Sequence, residues 1–386
     1  MKKLSVYFLL LFSALYFFSS CGEDSPEGEF TDDGYGYDFT QVLKVYTDDV
    51  ILPTYADMKN KAWTLYDAVQ TFSTSTGRTQ ANLNAVCAAW RATRIPWEQS
   101  ESCLYGPADR LGLDPSLDSW PLKKGDIDKI INSGSITIDK IMDPGVHGFH
   151  TIEYLIFSDG NPKVLSTTPL SEAEIQYLVI ATEYLRNDCI MLWAAWNGTQ
   201  NISAKDQAVI NTFDEDPTQY NFAYNFKNAI TSSGVDLATM DDAIDNIIEG
   251  CAGIADEVAA QKIGAPRDLA LDGRTDEAVL EVESWYSWNS IDDYANNIIS
   301  IRNSYFGGLN KTTSNRSQHS MSVFVESKNA VLDAEITAAI DKAYKAINEG
   351  MQRPFRNNLT GAKVDAAIDA CTDLQLSFEK IKQLKD

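Results

Sequence analysis

The sequence predicts an all-α protein with helical bundles as its architecture. Three observations carry this. Apolar residues recur at three- and four-residue spacing through most of the 386 residues, which is the period of a helix with one buried face. Helix-opening residues stand where those runs begin. No stretch shows the sustained apolar–polar alternation of strands.

Taken in order, Tyr37 to Phe72 keeps the helical period, with Pro53 as a kink or break because proline lacks the N–H that a helix interior uses. Thr79 to Ser102 continues it, interrupted at Pro96. Tyr105 to Trp120 is irregular, marked by Gly106-Pro107, Gly112 and Asp114-Pro115 as turn signals. A short helix over Asp126 to Asn132 follows. Asp143-Pro144-Gly145 reads as a helix start, with Asp143 as N-cap and Pro144 at the first position, running to about Phe157 and closed by Asp159-Gly160. Ser171 opens a long helix to Trp196. Lys205 to Ser232 and Met240 to Lys262 are two more, the latter ended by Gly264-Ala265-Pro266, with a loop over Arg267 to Thr275. Asp276 to Tyr286, Ser290 to Phe306, Glu326 to Met351 and Ala362 to Leu384 complete the helical segments, and Gly307 to Ser317 is polar loop. Ile152 to Phe157 resembles Ile301 to Phe306 in pattern, a hint of duplicated halves meeting near 198–204.

The N-terminus reads as an export signal. Lys2 and Lys3 precede an apolar run from Leu4 to Phe18, and Ser19-Ser20-Cys21-Gly22 follows. The run is too short for a comfortable membrane span. Residues 1–20 are therefore expected to be a lipoprotein signal peptide, with Cys21 the lipidated residue of a protein held on the bacterial outer membrane, at its periplasmic or cell-surface face. Residues 21–36 form an acidic tether without apolar periodicity. The formal net charge of −23 repels phosphate backbones, so no nucleic-acid partner is expected. Five further cysteines form no CxxC pair and fall mostly in apolar helical patterns, as buried small hydrophobes do.

Histidine is scarce, and two of the three, His147 and His150, lie close together. His150 and Glu153 are three residues apart, so a helix would bring an imidazole and a carboxylate to one face, a mixed set suited to a divalent metal. Glu98 and Glu101 share the same spacing, beside Trp97, Gln99 and Tyr105. An apolar wall there would raise the cost of carboxylates without a cation. His147 could add a third ligand, but a near-surface place at a helix start fits it better. HExxH, GxSxG and Gly-rich phosphate loops are missing from the sequence.

Several segments together resemble the imelysin-like family. Gly148-Phe149-His150-Thr151-Ile152-Glu153 matches its GxHxxE signature, and Trp97 to Pro107 its upstream segment. Asp118-Ser119-Trp120-Pro121-Leu122 follows the family pattern. So do Glu283-Ser284, Trp288-Asn289-Ser290, Asp293, Asn297, Ser300-Ile301, Tyr305-Phe306-Gly307 and Arg353-Pro354-Phe355. The resemblance spans about Tyr37 to Leu384. It implies two helical domains, 37–203 bearing the motif and 204–386, with the functional site between them. It also implies His150, Glu153 and Glu101 as metal ligands, with Asp293, Asn297 and Tyr305 near them. Arg302 departs from the acidic residue expected at its place, and would repel a metal or pair with Glu101 or Glu153. Family members include proteins named for insulin cleavage and domains of iron-uptake components. The expected function is capture of iron, or of another divalent metal such as zinc, or of an iron-bearing ligand, for an outer-membrane uptake partner. The alternative is a metallopeptidase in which Glu101 or Glu98 serves as base toward a metal-bound water.

Overall fold

Helices in this chain are longer and more continuous than its prolines suggest. The computed structural model describes residues 34–228 and 239–385. The signal peptide, Cys21, most of the tether and the end of the helix expected at Ser232 lie outside the described residues. Among the described residues the fold is all-α, with a single two-stranded hairpin.

The first helix runs Thr40–Tyr46, passes through a π-helical turn at Thr47–Ile51 and continues as Leu52–Ser73. Pro53 does not break it. The proline stands in the first turn after the π segment, where the hydrogen-bond ladder has already shifted and its missing N–H costs little. Pro96 likewise lies within a continuous helix, Gln80–Glu98, opened by the Thr79 side chain accepting from the Asn82 N–H. Glu172–Asn197 carries a full capping box between Ser171 and Glu174.

These three long helices pack together with the short helix Gly148–Ile156 around Trp90, Trp97, Trp196 and Tyr55, all fully buried. The Trp90 indole N–H donates to the Phe149 carbonyl at 3.0 Å, which fixes the short helix against Gln80–Glu98. A buried indole N–H needs such a partner. Asp159-Gly160, read as a helix stop, is also the tip of the hairpin that pairs Phe157 with Pro162 and Ser158 with Asn161. Both tip residues have positive φ, 48° and 77°, as a two-residue hairpin turn requires.

The second group of helices is Met240–Glu257, Ser290–Phe306, Ala330–Lys345 and Ala362–Glu379. Gly264-Ala265-Pro266 does not end the helix that precedes it. The chain passes from Met240–Glu257 through a π segment, Val258–Gly264, directly into Ala265–Leu271, with Pro266 in the first turn. The expected helix over Lys205 to Ser232 is interrupted instead. It forms Ala204–Ile210 and Phe222–Asn228, separated by the acidic turn before Pro217. Ser290–Phe306 packs on Gln80–Glu98, and Met240–Glu257 packs on the turn Glu101–Cys103. That last contact is tight: a Cβ on Gly250 would lie 2.1 Å from the Ser102 carbonyl oxygen. Distant parts of the sequence thereby meet beside Glu101.

Candidate metal centre

The helix carrying the motif begins later than its Asp-Pro-Gly signal implies. Gly145 and Gly148 both have positive φ, 91° and 82°, so the chain turns twice before Gly148–Ile156 starts with His147 as N-cap. A Cβ on Gly148 would sit 2.4 Å from the Leu117 carbonyl oxygen. This close approach lays the first turn of the helix against the Leu113–Asp118 segment and brings His150 to Asp118.

His150 is fully buried, with its two ring nitrogens in different surroundings. Nδ1 lies 3.0 Å from Glu153 Oε2. The other Glu153 oxygen accepts the Ser287 N–H at 2.7 Å. Both oxygens of Glu153 are therefore engaged on the Nδ1 side, and the face that His150 and Glu153 were expected to share is taken up by their own contact. Nε2 instead faces Asp118 Oδ1 at 2.9 Å and Glu283 Oε1 at 3.7 Å. The approach to Asp118 is close but makes no aligned hydrogen bond. The Trp120 ring walls the imidazole, with centroids 4.6 Å apart.

Glu283 reaches the site from a strained turn. Ser284 and Trp288 have φ of 52° and 60°, unusual for residues with side chains, and they bracket the Ser287 N–H that holds Glu153. Arg91 ties this turn to Gln80–Glu98 by donating to the Ser287 carbonyl and the Asn289 side chain, each at 2.6 Å.

A second layer surrounds Arg94, whose guanidinium has no solvent exposure. It pairs with Glu98 and Asp118, with Glu283 at 2.7 Å and with Asp293 at 3.2 Å. The Trp97 indole N–H donates to Asp118 Oδ2 at 2.5 Å, and Asn297 Nδ2 donates to Glu98 Oε2 at 2.6 Å. Ser284 and Asn289 each donate to Asp293 at 2.6 Å. Three sets of residues bring ligand atoms within 4.8 Å of one another: Asp118, His150 and Glu283; Glu98, Glu101 and Asp118; and Glu98, Glu283 and Asp293.

The electrostatics divide these acids. Burial favours the neutral form of Asp118, but Arg94 and His150 outweigh it and hold the group at about 2. Glu283 is likewise held well below its ordinary value: burial is outweighed by Lys262, His150 and Arg94. Burial pushes Glu98 and Glu101 well up, and raises Asp293 to about 6. Burial would lower the His150 value, but Asp118, Glu153 and Glu283 raise it well above that of free imidazole.

A cavity of about 340 Å³ opens onto this cluster. Its wall carries six acids, Glu101, Asp114, Asp118, Glu257, Glu281 and Glu283, against one cation, Lys262, with Trp120 and Pro121 at the apolar side.

Of the other residues proposed from sequence, Glu98, Trp97, Asp293 and Asn297 join the cluster, and Glu101 lines the cavity. Gln99 is spent on Asn296 at 2.7 Å. His147 bonds Ser116 at 2.9 Å and the Ile141 carbonyl at 2.7 Å, which makes it a structural residue. Tyr305 donates to Asp333 at 2.7 Å. Arg302 pairs with neither Glu101 nor Glu153; it lies 3.6 Å from Asp341 and covers the Tyr344 ring. The arginine among the acids is Arg94, which the sequence reading missed, together with the site roles of Lys262, Asp118 and Glu283. The Arg94–Glu98 spacing of four was a usable helix-pair signal.

Fold and site together define an all-helical protein with a buried histidine in a carboxylate-rich crevice assembled from distant segments. The chain belongs to the imelysin family, whose sequence profile matches residues 51–381. It is 29% identical over 270 residues to iron-regulated protein A of Synechococcus elongatus, a match covering 69% of this chain and 64% of that protein. A crystal structure from Parabacteroides distasonis, provisionally named an iron-regulated protein A precursor, superposes with a TM-score of 0.81 at 36% identity, over 90% of this chain and 95% of that one. An imelysin-like protein of Psychrobacter arcticum shares the fold at 13% identity and TM-score 0.59, covering 89% and 93% of the two chains.

Proposed function

We propose that this protein captures a divalent cation, iron in its biological setting, on His150, Asp118 and Glu283. The observation that carries the reading is the arrangement about His150. Glu153 takes Nδ1 and leaves Nε2 facing two carboxylate oxygens. A histidine whose far nitrogen is held by a carboxylate is the usual orientation of a metal-binding imidazole. Two acids kept ionised by their surroundings supply the negative charge, and one nitrogen with oxygen ligands suits iron, manganese or zinc. Glu153 thereby orients the ligand instead of serving as one. The names of the relatives favour iron.

The cavity wall bears on the form of the cargo. Six acids against one lysine repel an anionic iron chelate and concentrate a free or hydrated cation. Reversible capture also fits the open side of the cavity. The protein acts, in this reading, from a lipid anchor on Cys21 at the outer membrane and hands its ion to an uptake partner there. Incorporation of radiolabelled palmitate that a Cys21→Ser change abolishes tests the anchor.

The binding test is metal analysis of the purified protein after incubation with Fe²⁺ under anaerobic conditions, beside His150→Ala. About one ion per chain, lost in the variant, is the expected result. Equal metal in both proteins, or none in either, would remove the reading.

A further inference from the structure

Lys262 sits where a cation would. Its Nζ lies 3.1 Å from Glu283 Oε2, 3.6 Å from Glu101 Oε1, 3.8 Å from Glu257 Oε1 and 4.0 Å from Glu98 Oε2. The side chain is only 9% exposed. The four acids come from three stretches of the chain, 98–101, the end of Met240–Glu257 and the turn at Glu283, so the lysine sits at their meeting point. Glu283 Oε2, the nearest of these oxygens, is buried without an aligned hydrogen-bond donor. The ammonium is therefore held by charge more than by directed bonds. This contrasts with Arg94, whose rigid guanidinium is enclosed by four carboxylates with no solvent exposure. Lys262 also lines the cavity, and its flexible stem leaves from the π segment Val258–Gly264, an irregularity common at functional sites.

Glu98, Glu101 and Asp118 are close enough to share one ion, and Asp118 also belongs to the His150 set. A carboxylate with two oxygens can bridge two cations. We propose that Glu98 and Glu101 form a second, outer cation position bridged by Asp118 to the His150 position, and that the Lys262 ammonium fills it until an incoming divalent ion expels that side chain. The inference rests on the His150 reading and adds a regulator to it: a tethered monovalent competitor keeps the outer ion weakly held and easily passed on. A full positive charge removed from about 4 Å is worth more than tenfold in cation affinity even with strong screening.

The test is calorimetric titration of the purified full-length protein with Mn²⁺. Wild type is expected to bind one ion tightly and a second at least about tenfold more weakly. Lys262→Met should tighten the second about tenfold or more. The first ion, whose ligand Glu283 also touches Lys262, is identified by its loss in His150→Ala and not by an unchanged affinity. Glu101→Gln added to Lys262→Met should remove the second ion alone. If Lys262→Met does not fold, acylation of wild type by a soluble succinimidyl ester gives the readout: Lys262 labelling should rise at saturating Mn²⁺. One His150-dependent ion in both proteins, or Lys262 labelling that Mn²⁺ leaves unchanged or lowers, overturns the outer position while the inner one stands. No His150-dependent ion in either protein overturns both.

Discussion

Glu153 and His150 form a one-sided pair: Glu153 Oε2 lies 3.0 Å from His150 Nδ1, and the backbone N–H of Ser287 holds the other carboxylate oxygen. The imidazole is buried between these partners, with no face toward solvent. Its Nε2 stays directed at Asp118 and Glu283. Residues near 150 and near 287 must be packed together before this nitrogen points anywhere useful.

Glu153→Gln should weaken cation binding about 10- to 100-fold, since it removes an orienting acceptor and leaves the ligand nitrogen in place. His150→Ala should remove binding. Titration with Mn²⁺ separates the two, and equal losses in both variants would make Glu153 a ligand after all.

Cation binding should strengthen with pH. His150 is held protonated by Asp118, Glu153 and Glu283, while Glu98, Glu101 and Asp293 are raised by burial, so an entering ion must release protons. Calorimetry in buffers of different ionisation enthalpy would measure that release, and a release of zero contradicts the arrangement.

The metal-free protein should lose stability as pH rises from about 5 to 8. Asp293, raised to about 6, contributes stability that is complete below its unfolded value of 3.8 and is lost as pH climbs through about 6. His150, raised well above free imidazole, begins to lose its contribution only as pH climbs past 6.5. Asp118, depressed to about 2, acts in the opposite sense, and its contribution is lost only in strong acid. Thermal melts in chelator should show the decline, and a divalent ion should oppose it more at pH 8 than at pH 5.

Arg94→Met should destabilise the fold by about 3–5 kcal/mol at neutral pH, because it leaves buried carboxylates without their cation. The loss should shrink near pH 5, where Asp293 is protonated. Urea melts at the two pH values measure the difference, and a pH-independent loss would mean that the guanidinium acts by packing alone.

Gly148→Ala should cost roughly 2–4 kcal/mol. The new Cβ would stand 2.4 Å from a backbone oxygen of Leu117 at a residue with φ of 82°. Relief must come from moving the His150 helix away from Asp118. The variant should therefore lose cation affinity as well as melting temperature, and full affinity in a destabilised protein would separate the two roles.

The helices were legible in the sequence because each is a local matter. Ser171 with Glu174 announces a start, and apolar spacing between Glu172 and Asn197 announces a buried face. The motif residues His150 and Glu153, and the acids Glu98 and Glu101, were legible through spacing and family resemblance. Local signals misled where neighbours in space took over. Pro53, Pro96 and Pro266 look like stops, yet π turns and packing carry the chain past them. Asp143-Pro144 looks like a helix start, yet two left-handed glycines postpone it.

The division of labour within the site was decided by tertiary structure. Helical spacing of three says that two side chains are neighbours; it does not say which imidazole nitrogen the carboxylate takes. That choice follows from Ser287, 134 residues beyond Glu153, donating to its second oxygen. Arg94 and Lys262 carry no motif of their own. They matter because folding places them among acids that are remote in the chain, and a buried charge takes its meaning from the charges that desolvation forces beside it. The sequence by itself determined an all-helical chain bearing a histidine and several acids in family order. Which of those acids stay ionised, and which face the histidine, depended on contacts that helical spacing cannot reach, from Asp118 beside His150 and Arg94 to Glu283 arriving from far along the chain.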